Sequence, residues 1–146
     1  MSLESGTYTI RNKINNNPVG RFIVEDRSLL PKRVLSLPQD NRSELPVWKI
    51  EKSKSDSYRL KARGGVTTAI DNMLFALLLE EEGLLSPSEW RLVPHPEHGP
   101  DVYNIVTPDT GYGWTVTGED MAQIEVVPIL PNAPTSLFEV VPLEHE

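Results

Sequence analysis

Apolar and polar residues alternate over short stretches along the chain, and 13 prolines and nine glycines separate these stretches. Successive side chains of a β-strand point to opposite faces, so such alternation is typical of strands with one buried face. Proline and glycine favour the tight turns between strands. The pattern therefore predicts an all-β protein with many short connections.

Two aromatic motifs each occur three times. A tyrosine followed two residues later by an aliphatic residue occurs in TYTIRN, SYRLKA and VYNIVT, at Tyr8, Tyr58 and Tyr103. A tryptophan or phenylalanine followed by a charged and then an aliphatic residue occurs in VWKIEK, EWRLVP and LFEVVP, at Trp48, Trp90 and Phe138. The two sets alternate along the chain with internal spacings of 42 to 50 residues. This regularity indicates three repeated units.

Each unit has room for two further strands between its tyrosine strand and its closing aromatic strand. The segments are VGRFIV and RVLSL, GVTTAI and MLFALLL, and YGWTVT and AQIEVVPI. Three units of four strands predict a twelve-stranded β-trefoil, in which six strands close a barrel and six cap it. Because no unit can bury its apolar face alone, we expect one domain over residues 1–146, with units of approximately 6–53, 54–98 and 99–146.

One segment conflicts with its local propensity. DNMLFALLLEEEGLL is rich in helix formers, with Asp71 or Asn72 as a possible N-cap and Gly83 as a possible C-cap. The second unit nevertheless needs a strand at this position. We therefore predict a strand, and a helix over 72–82 would contradict the threefold arrangement.

Composition and charge exclude several function classes. The net charge of −7 and the pI near 5.0 disfavour a phosphate-binding surface, so nucleic acid is not expected as a partner. The absence of cysteine removes disulfides and thiolate sites, and it suits a reducing compartment. The start of the chain has no secretory signal, and MLFALLL is too short to span a bilayer. We expect a cytoplasmic monomer that does not bind membranes.

No pattern of residues predicts an enzyme. There is no G-x-S-x-G elbow and no phosphate-binding glycine loop, and the run of acids after MLFALLL is a solvated strand end. His95 and His98 with Glu97 match no zinc spacing and are flanked by proline, so they are interpreted as a solvated loop. Neither a metal nor another cofactor is predicted.

The segment VEDRSLLPKR, Val24 to Arg33, lies between the second and third predicted strands. Taken alone, its charges are those of an ordinary solvated loop. A β-trefoil without catalytic groups works through its loops, and protease inhibition requires an extended segment with a side chain for the specificity pocket. A trypsin-like pocket has an acidic base, which pairs with arginine or lysine. Arg27 would supply that side chain.

GTYTIRN, VGRFIVEDRSLLPKRVLSLP and VWKIE resemble the mushroom serine protease inhibitors of β-trefoil fold, the mycospins. The resemblance is specific over the first third of the chain and extends to the rest through the threefold strand pattern. It implies a trypsin inhibitor from a fruiting body, active in defence or in the regulation of endogenous proteases. It also implies a reactive bond between Arg27 and Ser28, flanked by Val24, Glu25, Asp26, Leu29, Leu30 and Pro31. Hydrogen bonds from polar side chains of the body are expected to hold the loop rigid.

Other binding modes remain open. Trefoil inhibitors of the plant Kunitz type use the loop between the fourth and fifth strands, where this chain has Lys52 and Lys54; Arg63 is followed by glycines that favour a tight turn. Mycocypins, related mushroom trefoils, inhibit papain-like proteases, and some inhibit asparaginyl endopeptidase through an asparagine, for which Asn72 is the candidate. A carbohydrate-binding trefoil of the ricin type would carry Gln-x-Trp in each unit. The corresponding segments PVW, SEW and SLF lack the glutamine, so their aromatics are interpreted as core residues.

Overall fold

The protein is described by a computed structural model over residues 4–21, 31–37, 46–53, 57–62, 65–77, 89–109, 111–117, 119, 121–130 and 132–143. This part of the chain is all-β, with twelve strands and two short 3-10 turns, Pro96–His98 and Pro134–Ser136. Within it, no helix has the length and apolar character that a membrane crossing would need.

The twelve strands are short and follow one another in the predicted order. They are β1 (Gly6–Asn12), β2 (Val19–Arg21), β3 (Lys32–Ser36), β4 (Trp48–Lys52), β5 (Ser57–Ala62), β6 (Gly65–Ile70), β7 (Met73–Leu77), β8 (Trp90–Pro94), β9 (Val102–Val106), β10 (Tyr112–Thr115), β11 (Glu125–Pro128) and β12 (Phe138–Pro142). Each overlaps one of the twelve segments predicted from the sequence. The all-β class and the number of strands are confirmed.

Six of the strands close a ring of antiparallel pairs. The first strand of each unit pairs with the fourth, in β1–β4, β5–β8 and β9–β12. The fourth strand then pairs with the first strand of the next unit, in β4–β5, β8–β9 and β12–β1. The β12–β1 pair returns the sequence of pairs to its first strand. Ring closure leaves these strands without a free edge.

The other six strands form three hairpins, β2–β3, β6–β7 and β10–β11. Strand β7 also pairs with β3 and with β11. A bridge between Leu35 of β3 and Gln123, just before β11, joins the remaining two hairpins. Each hairpin is therefore hydrogen-bonded to both of the others.

The β6–β7 connection explains why helix propensity does not decide the structure of MLFALLL. Ile70 pairs with Met73, so the turn consists of Asp71 and Asn72 alone, with φ angles of 52° and 66°. Asparagine and aspartate tolerate this left-handed conformation, which two-residue hairpins of type I′ require at both positions. The strand β7 therefore begins at once, and the predicted strand is confirmed over Met73–Leu77, while the last two residues of MLFALLL lie outside the described residues.

The repeated aromatic residues form the core. Trp48, Trp90 and Phe138 have no exposed surface, and the three tyrosines of the other motif are also buried. The core cluster joins them to aliphatic residues of all three units, among them Ile10, Leu60, Ile105 and Val140. Their interpretation as core aromatics is confirmed.

The strand register identifies equivalent positions in the three units. The residue three positions after each repeated tyrosine pairs with a residue in the next strand or directly before it, in Arg11–Pro18, Lys61–Val66 and Val106–Gly113. The residues that follow these partners are therefore equivalent to one another: Val19, Thr67 and Trp114. Two units have a small side chain at this position, and the third has an indole.

This difference is compensated at the closing aromatic position. In the first unit the indole Nε1 of Trp48 donates to the carbonyl of Val19 at 2.7 Å. In the second, Trp90 Nε1 lies 3.2 Å from the Thr67 carbonyl and 3.1 Å from its hydroxyl. The third unit closes with Phe138, which has no N–H. Its bulk is partly supplied by Trp114 instead.

Trp114 packs against all three closing aromatics. Its ring centroid lies 5.5 Å from that of Trp48, 5.7 Å from that of Trp90 and 5.9 Å from that of Phe138. These are ordinary separations for favourable tilted and edge-on aromatic pairs. The buried Nε1 of Trp114 has no hydrogen-bond partner among the described residues.

Candidate protease-binding loop

The predicted reactive segment connects β2 to β3. Its members Val24, Glu25, Asp26, Arg27, Ser28, Leu29 and Leu30 lie outside the described residues. Pro31, the last flanking residue predicted, is described and exposed directly before β3. What the structure describes is therefore the pair of strands from which the segment leaves and to which it returns.

The two ends of the segment are fixed by strand pairing. Arg21, the last residue of β2, pairs with Val34 of β3. Lys32, the first residue of β3, pairs with Ala76 of β7 and is buried. Neighbouring strands lie about 5 Å apart, so the ten residues 22–31 span a short distance between two paired strands.

Arg21 connects the beginning of the segment to another unit. Its side chain is 8% exposed, and its guanidinium donates to the carbonyl of Ala62 at 3.1 Å. Ala62 is the last residue of β5 and pairs with Trp48 of β4. A buried arginine needs such partners because an unpaired buried charge is costly. The bond ties β2 to the ring of six strands.

The preceding residues of β2 are held by close packing. The Leu37 amide donates to the Pro18 carbonyl, and the next carbonyl, that of Val19, accepts from the Trp48 indole. At Gly20 a Cβ atom would lie 2.8 Å from Cγ of Pro46, closer than real carbon contacts. Only glycine fits this approach without movement of the neighbour.

Polar side chains hold β3 at the other end. Ser36 has no exposed surface. Its hydroxyl oxygen accepts from the side-chain Nδ2 of Asn12 at 3.0 Å and from that of Asn17 at 3.5 Å. Its backbone amide donates to the Ala122 carbonyl, and its carbonyl accepts from the Met121 amide. The sequence did not single out these asparagines, because a buried amide is not distinguishable from a surface one by pattern.

The alternative reactive positions are Lys52 and Lys54 near the end of β4 and Asn72 in the β6–β7 turn. Lys54 lies outside the described residues, whereas Lys52 ends β4 as an exposed residue. Asn72 is exposed in the two-residue turn, and its carbonyl accepts from the Val126 amide at 2.8 Å. Its left-handed backbone differs from the extended conformation of a substrate-like segment.

A separate group of polar side chains follows β8. His95, Glu97 and His98 bring one ligand atom each to within 4.8 Å of one another. The sequence predicted a solvated loop here, and Glu97 and His98 are indeed exposed, whereas His95 is partly buried. These three residues lie outside the segment that connects β2 to β3.

Residues 1–140 match the family described as Peptidase inhibitor I66. The chain belongs to this family. The family covers all the described strands except the last two residues of β12. The resemblance to mushroom protease inhibitors inferred from the first third of the sequence is confirmed.

Two relatives of this I66 chain carry inhibitor names. A protein from Lentinula edodes called "Serine protease inhibitor" is 37% identical over 150 residues, covering 98% of this chain and 100% of the relative. The solved structure of a proteinase inhibitor from Coprinopsis cinerea is 36% identical, with a TM-score of 0.87, covering 97% of this chain and 100% of the other. The relatives are protease inhibitors rather than enzymes.

A more distant likeness concerns the fold alone. A designed threefold symmetric protein, ThreeFoil, matches this I66 chain with a TM-score of 0.72 at 18% identity, over 94% of this chain and 99% of the design. The match agrees with the strand pairing, in which the same set of contacts is repeated in three units.

Proposed function

We propose that the chain inhibits trypsin-like serine proteases by a substrate-like mechanism, with Arg27–Ser28 as the reactive bond. The observation that carries the proposal is membership of the I66 family together with the full-length relative named as a serine protease inhibitor. The sequence adds an arginine in the segment that joins β2 to β3. Proteases with a trypsin-like pocket are the proposed partners.

The chemistry of recognition follows from the arginine. A trypsin-like specificity pocket has a carboxylate at its base, and a guanidinium can form two parallel charge-assisted hydrogen bonds with it. The acyl side would be formed by Val24, Glu25 and Asp26. Ser28, Leu29 and Leu30 would occupy the leaving-group side, and Pro31 would limit the freedom of the returning backbone.

The anchored ends of the segment support inhibition rather than turnover. β2 is bonded to the ring through Arg21 and Trp48, and β3 is bonded to β7 and to the buried amides around Ser36. Ends that are already ordered reduce the conformational entropy lost on binding. After cleavage, both new termini would remain attached to paired strands, which favours religation.

We also infer that the three units form a β-trefoil. The closed ring of six strands and the three mutually paired hairpins are the support for this arrangement. In that fold the segment between β2 and β3 lies at a hairpin end, where sequence can vary without disturbing the core.

The test is the trypsin inhibition constant of Arg27→Ala and Arg27→Glu. Loss of a buried specificity residue costs about 4 kcal/mol, or roughly a thousandfold weaker inhibition. The glutamate variant should be weaker still, because its carboxylate would face the acidic pocket. An unchanged inhibition constant for a folded Arg27→Ala variant would remove this bond as the reactive site.

Two controls separate the alternatives. Arg33→Ala removes an exposed arginine that lies in β3 and pairs with Phe75, so it should inhibit as the parent does. Lys54→Ala should also change little, and a large loss there would favour the loop between β4 and β5. Titration of papain with the parent tests the mycocypin-like mode, and titration of an asparaginyl endopeptidase with the parent and with Asn72→Ala tests the mode that uses an asparagine.

A further inference from the structure

The residues His95, Glu97 and His98 lie in the connection that follows β8, where Glu97 and His98 are exposed and His95 is partly buried. Nitrogen and oxygen donors of these types are the ligands that Zn²⁺ takes from proteins together with cysteine thiolates. Their ligand atoms lie within 4.8 Å of one another. The spacing along the chain matches no common zinc motif, so the backbone between them has to explain why they meet.

A 3-10 turn over Pro96–His98 brings the two histidines together. The His98 amide donates to the His95 carbonyl at 2.9 Å, and the Gly99 amide donates to the Pro96 carbonyl at 3.2 Å. Residues three apart in such a turn project from the same side. The ring centroids of His95 and His98 are accordingly 6.1 Å apart.

The orientation of His95 is fixed by a buried amide. Asn104, 2% exposed, donates from Nδ2 to the Ser136 carbonyl at 2.8 Å. Its Oδ1 therefore faces His95 and accepts a hydrogen bond from Nε2. Histidines that bind metals usually donate their other ring N–H to an oxygen in this way, which sets the tautomer and holds the ring.

The other ring nitrogen of His95, Nδ1, lies at a distance from the Glu97 carboxylate that is typical of two ligand atoms on the same zinc ion. Nδ1 lies 3.3 Å from Oε2 of Glu97. Two ligands at 2.0–2.1 Å from a tetrahedral Zn²⁺ are about 3.3–3.4 Å apart. With Nε2 carrying a proton, the lone pair of Nδ1 and the carboxylate repel each other unless a cation or a second proton lies between them.

We propose that His95 Nδ1, the Glu97 carboxylate and the His98 imidazole bind one Zn²⁺ ion, with water at the fourth position. Glu97 and His98 are exposed, so their side chains can adjust to the ion, whereas His95 is the oriented ligand. The site is independent of the proposed inhibitory loop.

Titration calorimetry with ZnCl₂ on the parent protein and on His98→Gln, Glu97→Gln and His145→Gln tests the site. The parent should bind one Zn²⁺ per chain. The first two changes are on exposed side chains and should weaken binding about tenfold or more, because even the loss of a residue that only orients a ligand costs roughly 10–100-fold in metal affinity. His145→Gln removes the third histidine of the chain but none of the proposed ligands, so it should bind as the parent does.

Thermal unfolding provides a second measurement. Zn²⁺ at about 1 mM should raise the Tm of the parent and of His145→Gln, and it should raise that of His98→Gln much less, because a ligand stabilises the state that binds it. Absence of saturable binding by the parent would overturn the proposal. Equal affinity of His98→Gln and the parent would overturn it as well.

Discussion

Replacing Trp48 by phenylalanine should destabilise the protein more than the same replacement at Trp114, although both indoles have no exposed surface. Each change keeps an aromatic ring and removes the same atoms. A cavity of roughly 40 Å³ at about 24 cal/mol per Å³ costs about 1 kcal/mol in either variant. The two variants differ in what happens to the indole N–H.

In Trp48→Phe the buried carbonyl of Val19 loses the donor at 2.7 Å that satisfies it. Leaving a buried acceptor without its partner costs about 1–3 kcal/mol in addition to the cavity. In Trp114→Phe the N–H that is removed has no partner among the described residues. Removing this unpaired buried group stabilises the folded state by about 1–3 kcal/mol, which offsets the cost of the cavity. The two free energies of unfolding should therefore differ by about 2 kcal/mol or more.

Urea unfolding followed by fluorescence of the two remaining indoles measures both variants under the same conditions. Trp90→Phe is the matched control: its Nε1 is also bonded, to Thr67, so this variant should resemble Trp48→Phe. If Trp114→Phe were as unstable as Trp48→Phe at equal m-values, the indole N–H would not account for the difference and the reasoning would fail.

Two further predictions concern pH and the β6–β7 turn. The pKa of Tyr8 lies above its ordinary value, chiefly because the phenol is buried and next because of the negative charges of Tyr58 and Glu4. Burial likewise raises the pKa of Tyr103. The folded state therefore holds the two phenol protons more tightly than the unfolded state does. The stability that this provides is complete below about pH 10 and is lost as the pH rises through the raised pKa values. The free energy of unfolding in urea should therefore fall above about pH 10, and it should fall less steeply in Tyr8→Phe. Asn72→Ala should lower the free energy of unfolding by about 1–2 kcal/mol, because alanine resists the left-handed backbone at this position. Asn72→Gly should be close to neutral. Equal urea midpoints for the two variants would contradict this account of the turn.

The order and number of strands could be predicted because periodicity and the aromatic repeat report burial directly. MLFALLL shows why the repeat outweighs propensity: its residues favour a helix, but the pairing of β7 with β3, β6 and β11 requires a strand. The turn of Asp71 and Asn72 carried a recognisable signal, two turn-forming residues between two apolar runs. In the sequence the same residues were considered as a helix cap.

Other features depend on contacts that a sequence pattern does not contain. Arg21 and Asn104 are buried polar residues that each donate to the backbone carbonyl of a distant segment. His95 and His98 meet because of a 3-10 turn between prolines, where the sequence indicated only an irregular loop. The position of Arg27 was inferred from chemistry and resemblance and stays a prediction, since it lies outside the described residues.

The position of Trp114 limits how three copies of one unit can diverge. Its ring occupies the space between Trp48, Trp90 and Phe138, and the equivalent residues of the other units are Val19 and Thr67. A perfectly repeated sequence with an indole at this position would place three rings where one fits. A triplicated sequence can therefore carry the indole in one copy alone, and the other two copies must hold a smaller side chain at this position, as Val19 and Thr67 do here.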